Sequence, residues 1–182
     1  MTTAPIPNHV EGIWCAPEGS IVRIRPIEAA DTTLIHEFVT SLSSETRYLR
    51  FMAAVKELSG DVPDRPTRVD QQRAAALVAI VIADGADRVV GVARYARNAD
   101  VESCDFAIVV ADDWRRRGLG SFLLTLLIDT ACAHGLKRMG GDVPAINEPM
   151  KVFAKAHGFT QRRSHDGPRL VRVELRLDSE RE

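Results

Sequence analysis

Apolar and polar positions along the chain fall into two periodicities, one of two residues and one near 3.6, and these separate strands from helices. Ile21-Val22-Arg23-Ile24-Arg25 alternates apolar and basic residues and predicts a strand that Pro26 ends. Leu34, Ile35, Phe38, Val39 and Leu42 recur at helical spacing, and Ser43-Ser44-Glu45 reads as the cap of a second, short helix through Phe51. Ala76 to Ala83 and Val89 to Ala96 are β-rich runs joined by Asp84-Gly85-Ala86-Asp87, which predicts a hairpin. Asp105 to Val110 is a further strand. An apolar helix then runs to about His134, with Gly135 as its stop. Near the C-terminus Val171, Val173, Leu175 and Leu177 alternate with Arg172, Glu174 and Arg176, the pattern of a strand buried on one face. Residues 1–20, with Pro5, Pro7, Gly12, Pro17 and Gly19, are expected to form an irregular arm with Trp14 as an apolar anchor, and residues 21–182 a single domain. The polar segment Ser59 to Val69, interrupted by Pro63 and Pro66, is expected to be a loop that shapes a substrate site.

Composition narrows the function classes. At 182 residues, 45% hydrophobic and 27% charged, the chain is long enough for one domain with a core that needs no disulfide or structural metal. Lys plus Arg number 24 against 25 Asp plus Glu, so no positive excess points to nucleic acid as a partner. The longest apolar run, Ala74 to Ala83, is far short of the roughly 18 residues of a membrane span. Met1-Thr2-Thr3-Ala4-Pro5-Ile6-Pro7 lacks the basic start and apolar core of a secretory signal, so the cytoplasm is the expected compartment. Cys15, Cys104 and Cys132 are odd in number, widely spaced and without a CxxC, which supports neither a disulfide framework nor a metal site.

The chemistry concentrates after the strand Phe106-Ala107-Ile108-Val109-Val110, where Arg115-Arg116-Arg117-Gly118-Leu119-Gly120-Ser121 opens the apolar helix. Gly118 and Gly120 lack a Cβ, so backbone N–H groups can close around phosphate oxygens while the helix adds its positive N-terminal end. The arginines are expected to supply local positive charge for a pyrophosphate. A Walker-type G-x-x-x-x-G-K-[ST] and a dinucleotide G-x-G-x-x-G are both missing, which leaves the spacing R-x-x-G-x-G. Carried by Arg115, Gly118 and Gly120, this spacing resembles the acetyl-CoA signature of the GNAT superfamily of N-acetyltransferases. Asn147-Glu148-Pro149-Met150-Lys151-Val152-Phe153, closing with Gly158-Phe159, is similar to that family's second motif, and Asn147 makes a good helix N-cap. Ile24-Arg25-Pro26-Ile27, Tyr48-Leu49-Arg50-Phe51 and Ala76-Leu77-Val78-Ala79 resemble the bacterial protein-lysine-acetyltransferase branch.

The resemblance implies an α/β (α+β) fold: a mixed, mostly antiparallel central sheet flanked by helices and splayed between its fourth and fifth strands. The pantetheine arm of acetyl-CoA would lie beside Ile108, Val109 and Val110, the pyrophosphate on residues Arg115 to Ser121, and Asn147 would help place the arm. A lysine-like amine, with a pKa near 10.4, is only about one part in a thousand neutral near neutral pH, so a base is useful. Asp105 occupies the place where relatives usually carry Glu, in Cys104-Asp105-Phe106-Ala107, and is the expected base, directly or through water. Its other reading is a strand-end carboxylate that orders an arginine. Ala154 stands where many members use a tyrosine acid, so the thiolate, of pKa about 8.5, would leave unaided. A backbone N–H near Val109 or Val110 would stabilise the thioester oxygen. Glu102 as an alternative base and His36, His134, His157 and His165 as proton carriers lack a supporting constellation, as does an acyl-cysteine route through Cys104 or Cys132. The expected activity is acetyl transfer to a protein lysine or a small amine in a ternary complex. The rival is a non-catalytic acyl-CoA-binding regulatory module. Strand edges leave oligomers open.

Overall fold

In the computed structural model, which describes residues 11–54 and 74–177 (of residues 50–54 the backbone only), the alternating segments become eight strands of one sheet. They are β1 (Gly12–Cys15), β2 (Ile21–Pro26), β3 (Ala74–Ala83), β4 (Ala86–Arg97), β5 (Ser103–Val110), β6 (Arg138–Pro144), β7 (Thr160–Arg163) and β8 (Leu170–Arg176). Their spatial order is β1-β2-β3-β4-β5-β6-β8-β7, antiparallel throughout except where β5 meets β6. Four helices accompany them: α1 (Thr32–Ser41), α2 (Ser44–Ala54), α3 (Leu119–Ala133) and α4 (Glu148–Ala156). None of the described helices is long and apolar enough to cross a membrane. The segment Ser59 to Val69 lies outside the described residues.

β3 is buried at every residue from Ala76 to Val81, as a strand covered on both faces must be. α3 closes one face with Leu119, Leu123, Leu124, Leu127 and Ile128, all buried. Gly91 of β4 permits that approach, since a Cβ there would stand 2.9 Å from the Leu123 side chain. α1 packs on β4 through Ile35 and Phe38, and α2 packs on β6. The buried apolar residues of strands and helices form one cluster from Ala16 to Val173.

One expectation is corrected here. The arm is not irregular throughout, because Gly12–Cys15 adds an edge strand to β2. Trp14 and Gly12 turn toward α3, and Pro17 and Gly19 sit in the turn, where Gly19 takes φ +92° and its N–H reaches Ala16 O at 2.8 Å. The splay falls where it was expected, beside Ile108 to Val110; with the edge strand counted, the fourth and fifth strands of the expectation are β5 and β6. Two strands gave no usable sequence signal. β6 contains Gly140, Gly141 and Pro144, which argue against a strand, and every residue of β7 is exposed.

Candidate active site

The site begins where the sheet comes apart. β5 and β6 pair in parallel only at Ser103–Arg138, Cys104–Met139 and Asp105–Gly140, after which β5 runs on to Val110 and β6 to Pro144 without pairing. On its other side β5 stays paired to β4 up to Val110. Every second N–H and C=O of Phe106 to Val110 therefore faces the gap with no strand to receive it. Ile108, Val109 and Val110 are half-buried along this gap. Glycines keep it open: a Cβ on Gly141 would stand 3.2 Å from the Phe106 carbonyl oxygen, and one on Gly120 would touch Phe153 at 3.6 Å and Val110 at 3.8 Å.

At the open end of the gap the chain turns from β5 into α3. Asp112–Trp114 form one 3-10 turn, Arg116 takes φ +59° and Gly118, the N-cap, takes φ +97°. Phe122 N–H makes the first bond of α3, to Gly118 O at 3.1 Å. The N–H groups of Leu119, Gly120 and Ser121 are thus the orphan donors of a helix terminus, and they point out of it. Leu119 itself is buried beneath the turn.

The three arginines do not converge as expected. Arg115 donates to Thr46 Oγ1 and lies 3.2 Å from Asp112 Oδ1, while Asp112 also accepts from Ser43 N at 2.9 Å and Thr46 Oγ1 at 2.7 Å. Burial would raise the Asp112 carboxyl, but these donors outweigh it and hold it below the ordinary carboxylate range. Arg117 pairs with Glu18, donates to Asp113 O at 2.7 Å and lies 4.8 Å over the buried Trp114 ring. Only Arg116, exposed, has no partner among the described residues. The loop's arginines chiefly brace it against α2 and the β1–β2 turn, and its remaining positive character comes from backbone N–H groups and Arg116.

At the closed end Asp105 faces Arg172 of β8. The guanidinium donates to both Asp105 oxygens, Nη1 at 3.0 Å and Nη2 in a shorter contact, and Asn98 Nδ2 adds 3.3 Å. Arg172 crosses Gly140 to get there: a Cβ on Gly140 would stand 2.7 Å from Arg172 Nη2 and 3.0 Å from Val173 O. Nη1 also lies 3.2 Å from Asp142 Oδ2 on β6. Burial alone would push the Arg172 guanidinium down, but the hydrogen bonds and charges of the two carboxylates outweigh it and hold it above its ordinary value. No sequence pattern singles out Arg172, Asp142 or Gly140, because a polar residue on the outward face of a strand looks the same whether it meets solvent or another strand's carboxylate. Gly140→Ala is expected to lower stability by about 1–3 kcal/mol in urea unfolding, since backbone as well as side chain must yield. A change within about 0.5 kcal/mol would show that Arg172 moves aside freely.

Asn147 caps α4, its Oδ1 accepting from Met150 N at 3.2 Å. Ala154 is fully buried in the same helix. Cys104 is buried in the paired part of β5, before the gap begins, and burial pushes its thiol up to about 12. His36 and His165 are exposed, and His157 Nδ1 sits 2.8 Å from Phe153 O of its own helix. His134, just past α3, is bonded through Nδ1 to the buried Tyr95 hydroxyl, whose pKa burial drives well above the usual phenol range. Tyr95 therefore keeps its proton and donates. Burial, with the Arg97 charge, holds His134 below its ordinary value of 6.5. As pH falls below about 6.5, the unfolded chain takes up a proton that folded His134 refuses, so stability falls with pH there. His134→Gln is expected to flatten that part of the stability–pH curve. An unchanged slope in denaturant unfolding between pH 7 and 5 would remove His134 from the account.

The comparisons with known proteins agree with this geometry. The family model described as Acetyltransferase (GNAT) family matches residues 42–159. Acetyltransferase PA5475 of Pseudomonas aeruginosa is 36% identical over 149 residues, covering 82% of this chain and 80% of that protein. Among solved structures, the GNAT domain of S. lividans PAT is 27% identical with a TM-score of 0.79, covering 93% of this chain and 98% of that one. A cAMP-binding acyltransferase from Mycobacterium smegmatis shares the fold at 23% identity and a TM-score of 0.61, and this chain spans 47% of its length. With the sheet parting between β5 and β6, a glycine turn opening α3 and these relatives over most of its length, the chain belongs to the acetyltransferase (GNAT) family and is an N-acetyltransferase.

Proposed function

We propose that the protein binds acetyl-CoA and an amine together and transfers the acetyl group directly, the acceptor being a protein lysine or a small amine. The observation that carries this reading is the end of β5–β6 pairing at Asp105–Gly140, which leaves an open backbone edge between an anion-binding helix terminus and a carboxylate. Acetyl-CoA supplies the acetyl group as a thioester. Backbone groups of Ile108, Val109 and Val110 pair with the amides of its pantetheine arm, and one N–H near Val109 or Val110 polarises the carbonyl. Residues Arg115 to Ser121 receive the pyrophosphate, the N–H groups of Leu119, Gly120 and Ser121 together with Arg116 doing most of the binding. Glu18 and Asp112 give up part of their hold on Arg117 and Arg115 as phosphate arrives. Asn147 fixes the start of α4 along the arm.

Asp105 takes the amine's proton, directly or through one water. The high pKa of Cys104 disfavours an acyl-cysteine route, and Ala154 offers no proton to the departing sulfur, which leaves as a thiolate. The test is acetyl-CoA turnover against a panel of small amines and lysine-bearing proteins, beside calorimetric binding of CoA. Acetylated product is expected. Binding with no product across a wide pH range would mark a non-catalytic acyl-CoA-binding module instead, and failure to bind CoA would end both readings.

A further inference from the structure

Arg172 has two carboxylates within reach and divides itself unequally between them. Its register partner is Asp142, directly across from β8 to β6, and opposed side chains on one face stand about 4.5–5.5 Å apart at Cβ. The guanidinium nonetheless turns across Gly140 to take both oxygens of Asp105, leaving Asp142 one contact of 3.2 Å from Nη1. Asp142 Oδ1 is buried and has no hydrogen-bond partner among the described residues. A buried acceptor left without a donor is rare in folded proteins and calls for an explanation.

We propose that Asp142 is a positioning residue, the alternate partner to which Arg172 swings, engaging both Asp142 oxygens, whenever Asp105 holds a proton. The inference rests on the reading of Asp105 as the base, and it removes the main difficulty of that reading. A carboxylate locked to an arginine is a poor proton acceptor, because protonation strands a half-buried cation. In the reaction an ammonium gives its proton to an Asp105 oxygen, which becomes a neutral carboxylic acid, and the nitrogen lone pair is freed. The nitrogen–carbon bond forms at the acetyl carbonyl, the carbon–sulfur bond breaks, and the thiolate takes the second proton that the nitrogen sheds. Asp105 then returns its proton to water. Arg172 loses its counter-charge only while Asp105 is neutral, and Asp142, already opposite it with a free oxygen, supplies another without backbone movement.

The other charged groups on this face of β4 to β8 are Arg94 of β4, Arg138 of β6 (paired with Asp100), Glu174 and Arg176 of β8, and Arg162 of β7, which bonds Glu174 at 2.8 Å. α2, packed on β6, carries Glu45, Arg47 and Arg50, and Arg97 and Asp100 flank the β4–β5 turn. All of them are common to the variants compared below.

The experiment is a carboxyl-carbon NMR titration of Asp105 in the full chain, for wild type, Asp142→Asn, Arg172→Gln and the double variant. Asp142→Asn alone is expected to lower the Asp105 midpoint by about one pH unit, and Arg172→Gln to raise it. The decisive quantity is the effect of Asp142→Asn in the Arg172→Gln background, which should shrink by half or more, because no guanidinium remains to change partners. If Asp142 acts only as a neighbouring negative charge, its removal displaces Asp105 as much or more when Arg172 is absent, and that result overturns the proposal. Thermal unfolding checks that each variant is folded, and Asp142→Ser repeats the cycle should the Asn variant not fold. In turnover, the acid limb of the pH–rate profile should follow the same displacements with the KM for acetyl-CoA unchanged. An Asp105→Asn enzyme with full activity would refute the base reading while leaving the titration to decide the partner exchange.

Discussion

Gly120→Glu is expected to weaken acetyl-CoA binding by about a hundredfold or more in calorimetry, with little loss of stability. Gly120 opens the second position of α3, at the floor of the gap, where a Cβ already meets Phe153 at 3.6 Å and Val110 at 3.8 Å. Any longer side chain must enter the channel between β5 and α4, and a carboxylate there also faces the phosphates it displaces. Helix energetics point the other way, since a negative charge in the first turn stabilises the helix by about 0.3–1 kcal/mol. A variant that unfolds within a few degrees of wild type but no longer binds locates the loss in the site. Undiminished binding would place the cofactor elsewhere and with it refute the assignment of residues Arg115 to Ser121.

Asp105→Asn is expected to reduce kcat by about 10²–10⁴-fold while leaving the KM for acetyl-CoA near its wild-type value. The amide keeps the shape and can still accept from Arg172 through its oxygen, so the change removes a proton acceptor more than a structural prop. Because Asp105 lies at the closed end of the gap, remote from the α3 N-terminus, phosphate binding has no reason to change. The wild-type acid limb, where Asp105 becomes protonated, should disappear in the variant. Full kcat with an unaltered pH profile would leave Asp105 as a structural anchor for Arg172, the alternative role the sequence itself allowed.

Among the strands and helices that could be read in advance are those in which burial on one face imposes a period. β2, α1 and β8 carry such a pattern; the β3–β4 hairpin and β5 were legible instead as β-rich runs, and α3 as an apolar run that Gly135, at φ +71°, ends. The glycine turn was legible for a different reason: its chemistry depends on backbone, and backbone demands fix residue type at short spacing. β6 and β7 were not legible. β6 uses Gly140 and Gly141 because Arg172 and Phe106 need the space above them, a demand set by other strands. β7 is exposed along its length and owes its extended form to pairing with β8.

The same distinction runs through the site. A strand followed by a basic glycine turn and a helix is a local arrangement, and sequence alone determined that a glycine turn with three arginines stands at the head of α3. It also identified Asp105 as a carboxylate at the start of the preceding strand. What Asp105 touches was decided only by tertiary structure, because Arg172 is 67 positions away and reaches it by crossing a strand with no side chain at Gly140. The arginines of the turn show the limit most plainly. Sequence counted three positive charges, whereas folding brought the carboxylates of Glu18 and Asp112 against two of them. Periodicity and turn chemistry are properties of neighbours along the chain. Charge balance belongs to neighbours in space, and only the fold specifies those.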